Sequence, residues 1–275
     1  MVRDVKVCVL RIEGTNCEQE SLLAFQRLGA SPEIVHLKQL TGAAPEHLRR
    51  SLSDYHVLML PGGFSAGDYV RAGAVFAARI KSALAKEMVE FIEAGKIVLG
   101  VCNGFQVLVE MGLLPAFEGT ISQFPEVALG TNDSARFECR PTFLRHEGGE
   151  HCIFTRSIPK GGVIMCPSAH AEGRFTLPLD REEEILRRLE ENGQVVFRYV
   201  NPEGERAGYP WNPNGSVEDI AAICNPQGNV MGMMPHPERV FTRYTHPDWT
   251  RSFPSERGDG RRIFESIIDY TVQRF

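Results

Sequence analysis

The segment Ile97-Val98-Leu99-Gly100-Val101-Cys102-Asn103-Gly104-Phe105-Gln106 leaves this chain little choice of fold. An apolar run long enough for a buried strand meets a sharp turn. A helix follows through Val107-Leu108-Val109-Glu110-Met111, with Gly112 after it. Cys102 stands at the tip, with a glycine two residues before it and another two after. That is the pattern of a nucleophile elbow, in which the reactive side chain sits on strained backbone between strand and helix. Strand and helix approach so closely that only glycine fits at positions 100 and 104. The thiol then projects from the carboxyl end of a strand at the amino end of a helix, whose dipole favours a thiolate. The competing explanation is a small buried cysteine in an ordinary strand-to-helix turn.

The rest of the chain supplies a matching frame. Val5–Ile12, Pro32–Leu37 and His56–Leu60 read as strands, with helices over Leu22–Leu28 and about Val75–Ala94. Thr15 or Asn16 is placed to cap the first helix, and Gly29 to stop it. A polar helical piece is expected around Pro45–Leu52. Apolar strands alternating with helices predict a doubly wound, mainly parallel sheet with helices on both faces. Ligands in such sheets gather at the carboxyl ends of the strands. Gly62-Gly63 would share that edge with Cys102 and turn backbone N–H groups toward a ligand.

Beyond Pro115 an antiparallel extension is expected. Strands are read over Arg136–Arg145, Cys152–Phe154, Gly162–Cys166 and Gln194–Val200. Ile220–Cys224 and Val230–Met234 form a hairpin across Asn225–Asn229. Gly119–Ser134 reads as a long loop, Pro167–Arg174 as a polar loop, and Asn201–Ser216 as irregular. Asp180–Asn192 is a solvated helix and Arg261–Gln273 a closing one. No repeat or linker divides the chain, so residues 1–275 are expected to form one domain.

A net charge of −5 offers no basic field for phosphates, which argues against nucleic-acid binding. No apolar run approaches the roughly 20 residues of a membrane-spanning helix, and Met1–Lys6 begins a strand rather than a signal peptide. A cytoplasmic enzyme is expected. The seven cysteines make no C-x-x-C. A zinc site from His151, Cys152 and His170 would need scattered ligands, so no metal is expected.

A cysteine nucleophile needs a base, and the base an orienting partner. His236 lies between two prolines, which keep the segment extended. Glu238, two residues on, then points the same way and can hold one ring nitrogen. His170, with Glu172 nearby, competes as the base. The Asn103 N–H and the Gly62-Gly63 backbone could form an oxyanion hole. This set fits acyl transfer through a thioester, as in amide hydrolysis.

Pro61-Gly62-Gly63-Phe64-Ser65, Gly100–Gln106 and Met234-Pro235-His236-Pro237-Glu238-Arg239 follow in this order, and together they resemble the class I (triad-type) glutamine amidotransferases. Gly67-Asp68-Tyr69, Asn214-Gly215-Ser216 and Asp219-Ile220-Ala221 narrow the likeness to the glutaminase subunits of phosphoribosylformylglycinamidine synthases. The resemblance implies that Cys102 attacks the side-chain amide of L-glutamine. His236 activates the thiol and protonates ammonia, and Glu238 holds His236. Asn103 with Gly62 or Gly63 supplies oxyanion N–H groups. Gln106 and the loop Ala169-His170-Ala171-Glu172 hold the substrate, which makes His170 a pocket residue. The family usually has glycine at position 171. The resemblance further implies a large synthetase subunit that receives the ammonia, with ATP and Mg bound there, no cofactor in this subunit, and a small third subunit. The loops at 116–135 and 201–213 would touch partners. Readings that compete are a stand-alone γ-glutamyl hydrolase or peptidase, a non-catalytic regulatory subunit, and a redox-sensing cysteine protein.

Overall fold

The computed structural model describes residues 4–149, 151–251 and 256–275. Of the opening segment read as a strand, residues 1–3 lie outside them. The chain runs β1 (Lys6–Arg11), α1 (Glu18–Gln26), β2 (Ser31–His36), α2 (Leu37–Leu40), β3 (Val57–Leu60), α3 (Ala74–Glu93), β4 (Ile97–Val101) and α4 (Asn103–Met111). The second part adds β5 (Ala128–Thr131), β6 (Glu138–His146), β7 (Val163–His170), β8 (Glu172–Thr176), α5 (Glu182–Glu191), β9 (Val195–Val200), β10 (Ile220–Cys224), β11 (Val230–Met233) and α6 (Arg261–Arg274).

Among the described residues nine strands form one sheet in the order β2-β1-β3-β4-β11-β10-β9-β6-β7. The first five run parallel and the last four continue antiparallel. β3 and β4 are buried at every residue, as strands covered on both faces must be. On one side α1 meets α6 through Phe25 edge-on to Phe264, ring centroids 5.1 Å apart. On the other, α3 packs on α4. The doubly wound half with an antiparallel extension is the expected architecture.

Several local expectations fail for identifiable reasons. Residues 128–131 are not loop: β5 pairs antiparallel with β8 in a separate two-stranded sheet. Pro167–Arg174 is not loop either, since β7 runs to His170 and β8 starts at Glu172. Pairing with distant segments holds these polar residues extended. Ile153–Thr155 is a 3-10 turn, not a strand, and the piece around 45–52 breaks into two such turns, Glu46–Leu48 and Leu52–Asp54. Cys17, whose side chain makes no capping bond, stands at the start of α1. Thr15 Oγ1 is spent accepting from Ile12 N at 3.3 Å, and Asn16 Oδ1 from Cys17 Sγ at 3.3 Å.

Candidate active site

Cys102 adopts φ 51° and ψ −107°, a strained conformation between β4 and the first residue of α4. The flanking glycines show why the turn can exist. A Cβ on Gly104 would lie 1.9 Å from the Leu60 carbonyl oxygen, and one on Gly100 2.6 Å from that of Gly104. The Cys102 backbone N–H donates to Met233 O at 2.8 Å, which ties the elbow to the end of β11. Asn103, as the first residue of α4, has an N–H that no helical carbonyl can take.

β11 lies beside β4 in parallel register, Gly232 opposite Gly100 and Met233 opposite Val101. The chain leaving β11 therefore brings His236 to the same edge as Cys102. Pro237–Val240 then closes into a 3-10 turn, so the extended segment expected through Glu238 ends at His236. The turn still delivers the carboxylate: His236 Nδ1 and Glu238 Oε1 are 2.6 Å apart. Burial pulls His236 toward its neutral form, but the Glu238 carboxylate and the facing Cys102 sulfur outweigh it and raise its pKa well above the ordinary value.

Gly62 is the hinge of this cluster. A Cβ there would lie 2.7 Å from His236 Cε1, 3.3 Å from Cys17 Sγ and 3.4 Å from Cys102 Cβ. The Gly62 carbonyl accepts from Cys17 N at 3.2 Å, and Gly63, at φ 142°, bridges to Thr15. The loop after β3 is thus clamped to the loop after β1.

The segment after β7 closes the other side. The Cys102 thiol donates to Ala169 O across 3.7 Å. His170 is 3% exposed, and its Nδ1 lies 3.1 Å from Asn132 Oδ1. Burial, with the charge of His236 adding to it, pushes His170 down to about 4, so it stands there as a neutral imidazole. Ala171 is exposed. The Gln106 side-chain amide donates to the Glu172 carbonyl and its oxygen accepts from Asn103 Nδ2 at 2.9 Å. Its polar groups therefore brace the pocket wall. Glu172 Oε2 accepts from Ala72 N at 3.1 Å.

Cys17 and Asn132 at this edge carry no sequence signal of their own, and Asp68 enters the sequence only through the Gly67-Asp68-Tyr69 likeness. Cys17 accepts from Arg239 Nη2 at 3.1 Å beside His236. Asp68 accepts from Asn103 Nδ2 at 3.3 Å, and burial first, then the charge of Glu172, raises its pKa to about 6. Asn132 holds both His170 and the Gly173 N–H. Only the shared sheet edge could have pointed to Cys17. The scattered zinc ligands do not meet, because His151 lies 3.8 Å from Cys224 while His170 sits with Asn132.

Comparison with known proteins agrees with this geometry. The phosphoribosylformylglycinamidine synthase subunit PurQ of Archaeoglobus fulgidus is 52% identical over 270 residues, 97% of each chain. That of Picrophilus torridus is 43% identical, over 97% of this chain and 98% of its own. A chain in the structure of PurLQS from Thermotoga maritima superposes with a TM-score of 0.71 at 34% identity, covering 98% of this chain and 99% of that one. A glutamine amidotransferase from the same organism shares the fold at TM-score 0.54 and 16% identity. Residues 4–271 match the family model of the CobB/CobQ-like glutamine amidotransferase domain, and the chain belongs to that family.

Proposed function

We propose that this chain is the glutaminase component of a phosphoribosylformylglycinamidine synthase, hydrolysing L-glutamine and supplying ammonia to a separate synthetase subunit in purine biosynthesis. One observation carries the chemistry: a cysteine on a strained elbow faces a buried imidazole whose other nitrogen is held 2.6 Å from a carboxylate. Cys102 attacks the side-chain carboxamide carbon, and the developing oxyanion takes N–H groups from Asn103 and from Gly62 or Gly63. His236 accepts the thiol proton and returns it to the leaving nitrogen, so ammonia departs and a γ-glutamyl thioester remains. Water then attacks the thioester with the same imidazole as base, releasing glutamate. Glu238 fixes the ring and stabilises its protonated form. Ala169 O, His170, Ala171 and Glu172 wall the glutamine pocket, with Gln106 bracing it from behind.

The partners are those of the related assembly. The synthetase subunit binds ATP and Mg and consumes the ammonia, and a small third subunit completes the complex. This chain needs no cofactor for its own step, and it works in the cytoplasm. A free-running glutaminase would waste glutamine, so hydrolysis is low in the isolated chain and rises with the synthetase.

The test uses a glutamine-analogue diazo-ketone, applied to the chain alone and with the synthetase subunit, and maps the adduct by peptide mass. An adduct on Cys102, absent from Cys102→Ser, supports the proposal. An adduct on another cysteine only, or equal turnover with and without the synthetase, overturns it.

A further inference from the structure

Cys17 is a second sulfur at the triad for which amide hydrolysis has no use. It is 1% exposed, and its ligand atom, that of His236 and that of Glu238 all lie within 4.8 Å of one another. All three residues are buried. In the same cluster Glu238 Oε2 is buried without a hydrogen-bond partner. Thiol, imidazole and carboxylate are the donor set that binds zinc. Unpaired polar atoms in a closed interior are costly unless something occupies them.

We propose that Cys17, His236 and Glu238 form a latent site for a thiophilic divalent cation, Zn²⁺ being the type, that stops the enzyme by capturing its base. Zinc bonds of about 2.3 Å to sulfur and about 2.0–2.2 Å to nitrogen and oxygen set tetrahedral ligands roughly 3.3–3.7 Å apart. Side-chain shifts of about 1 Å bring the three atoms to that spacing. The Cys17 thiol loses its proton and the His236 imidazolium loses the one on Nδ1 as the metal–sulfur and metal–nitrogen bonds form. Thiolate and carboxylate then balance the ion. Arg239 must release the Cys17 sulfur, and Glu20, already 3.4 Å from its guanidinium, offers it another partner. The metal here is an inhibitor and not a cofactor: bound through Nδ1, the nitrogen beside Glu238, it leaves the ring's one proton on Nε2, which then has no lone pair for the Cys102 thiol proton. The inhibition rests on the proposed glutaminase activity; the binding site does not.

The test uses the full chain with the exposed Cys139 replaced by Ser. Co²⁺ is titrated in and the thiolate-to-cobalt absorption is read. Cys102→Ala in this background keeps one equivalent of the band, since the nucleophile is not the sulfur ligand. Cys17→Ala and Cys17→Ser both lose it; Ser keeps the size and the polar contact with Arg239, so a folded variant is at hand if Ala fails. In the complex with the synthetase, Zn²⁺ inhibits glutamine hydrolysis, a chelator reverses it, and Cys17→Ser raises the zinc needed by at least about 10-fold. A band that survives in Cys17→Ser, or is missing from Cys102→Ala, overturns the site. Absence of glutamine hydrolysis before any metal is added would count against the enzyme assignment and leave the cobalt result standing.

Discussion

His236 Nδ1 lies 2.6 Å from Glu238 Oε1, and the two side chains are 2% and 0% exposed. In that setting a carboxylate does more than orient the ring. It offsets the burial that would otherwise keep His236 neutral.

Glu238→Gln keeps the shape and removes the charge. Glutamine hydrolysis in the complex should fall on the order of 10⁴-fold, as when an orienting carboxylate is neutralised in a comparable triad. With the charge gone, burial dominates and the His236 pKa drops. The alkaline limb of the kcat/KM profile reports loss of the imidazolium, so it should move to lower pH. An unmoved limb would show that Glu238 acts only by packing.

Gly62→Ala tests the hinge. The new methyl would stand 2.7 Å from His236 Cε1, so the imidazole must shift. A displacement of about 1 Å costs about 10² in rate, and the packing strain about 1–3 kcal/mol in stability. Ammonia release and thermal denaturation of the same preparation separate the two effects.

Cys102→Gly should give a protein without turnover that unfolds later. The wild type holds a non-glycine residue at φ 51°, and relieving that strain outweighs the extra freedom of the unfolded chain by about 1 kcal/mol. Comparing denaturation midpoints of Cys102→Gly and Cys102→Ala checks this. Equal midpoints would mean the elbow stores no strain.

Asp68 has its folded pKa raised to about 6 by burial and by Glu172. The folded state therefore binds this proton more tightly than the unfolded chain, and the group's contribution to stability is lost as pH rises from about 4 to about 6. Asp68→Asn, which can still accept from Asn103, should be relatively more stable at pH 7, with the difference shrinking toward pH 4. Denaturation of both proteins at the two pH values reads it directly.

The parallel half of the sheet was legible because its signals are local. Val57–Leu60 and Ile97–Val101 are continuously apolar, and each ends in glycines that have steric duties. Cys102, His236 and Glu238 could be named for the same reason, since each sits in a short segment with its own constraint. The β5–β8 pair could not be read, because Ala128–Thr131 is short and its partner lies more than forty residues on. Cys17 stayed hidden because its meaning comes from neighbours that only the closed sheet supplies. Glu238 was placed beside His236 for the wrong backbone reason: a 3-10 turn, not an extended chain, carries it there.

The position of β11 also sets a timetable. The strand that leads to the base is, among the described residues, the last of eleven to be synthesised, yet it inserts between β4 and β10 in the middle of the sheet. A nascent chain emerging from the ribosome exposes its thiol long before residue 236 exists. Such a chain has a nucleophile without a base, and a sheet with an open slot where β11 belongs. Competence to hydrolyse glutamine therefore arrives with closure of the fold, and fragments cut short before that point cannot drain the cell's glutamine.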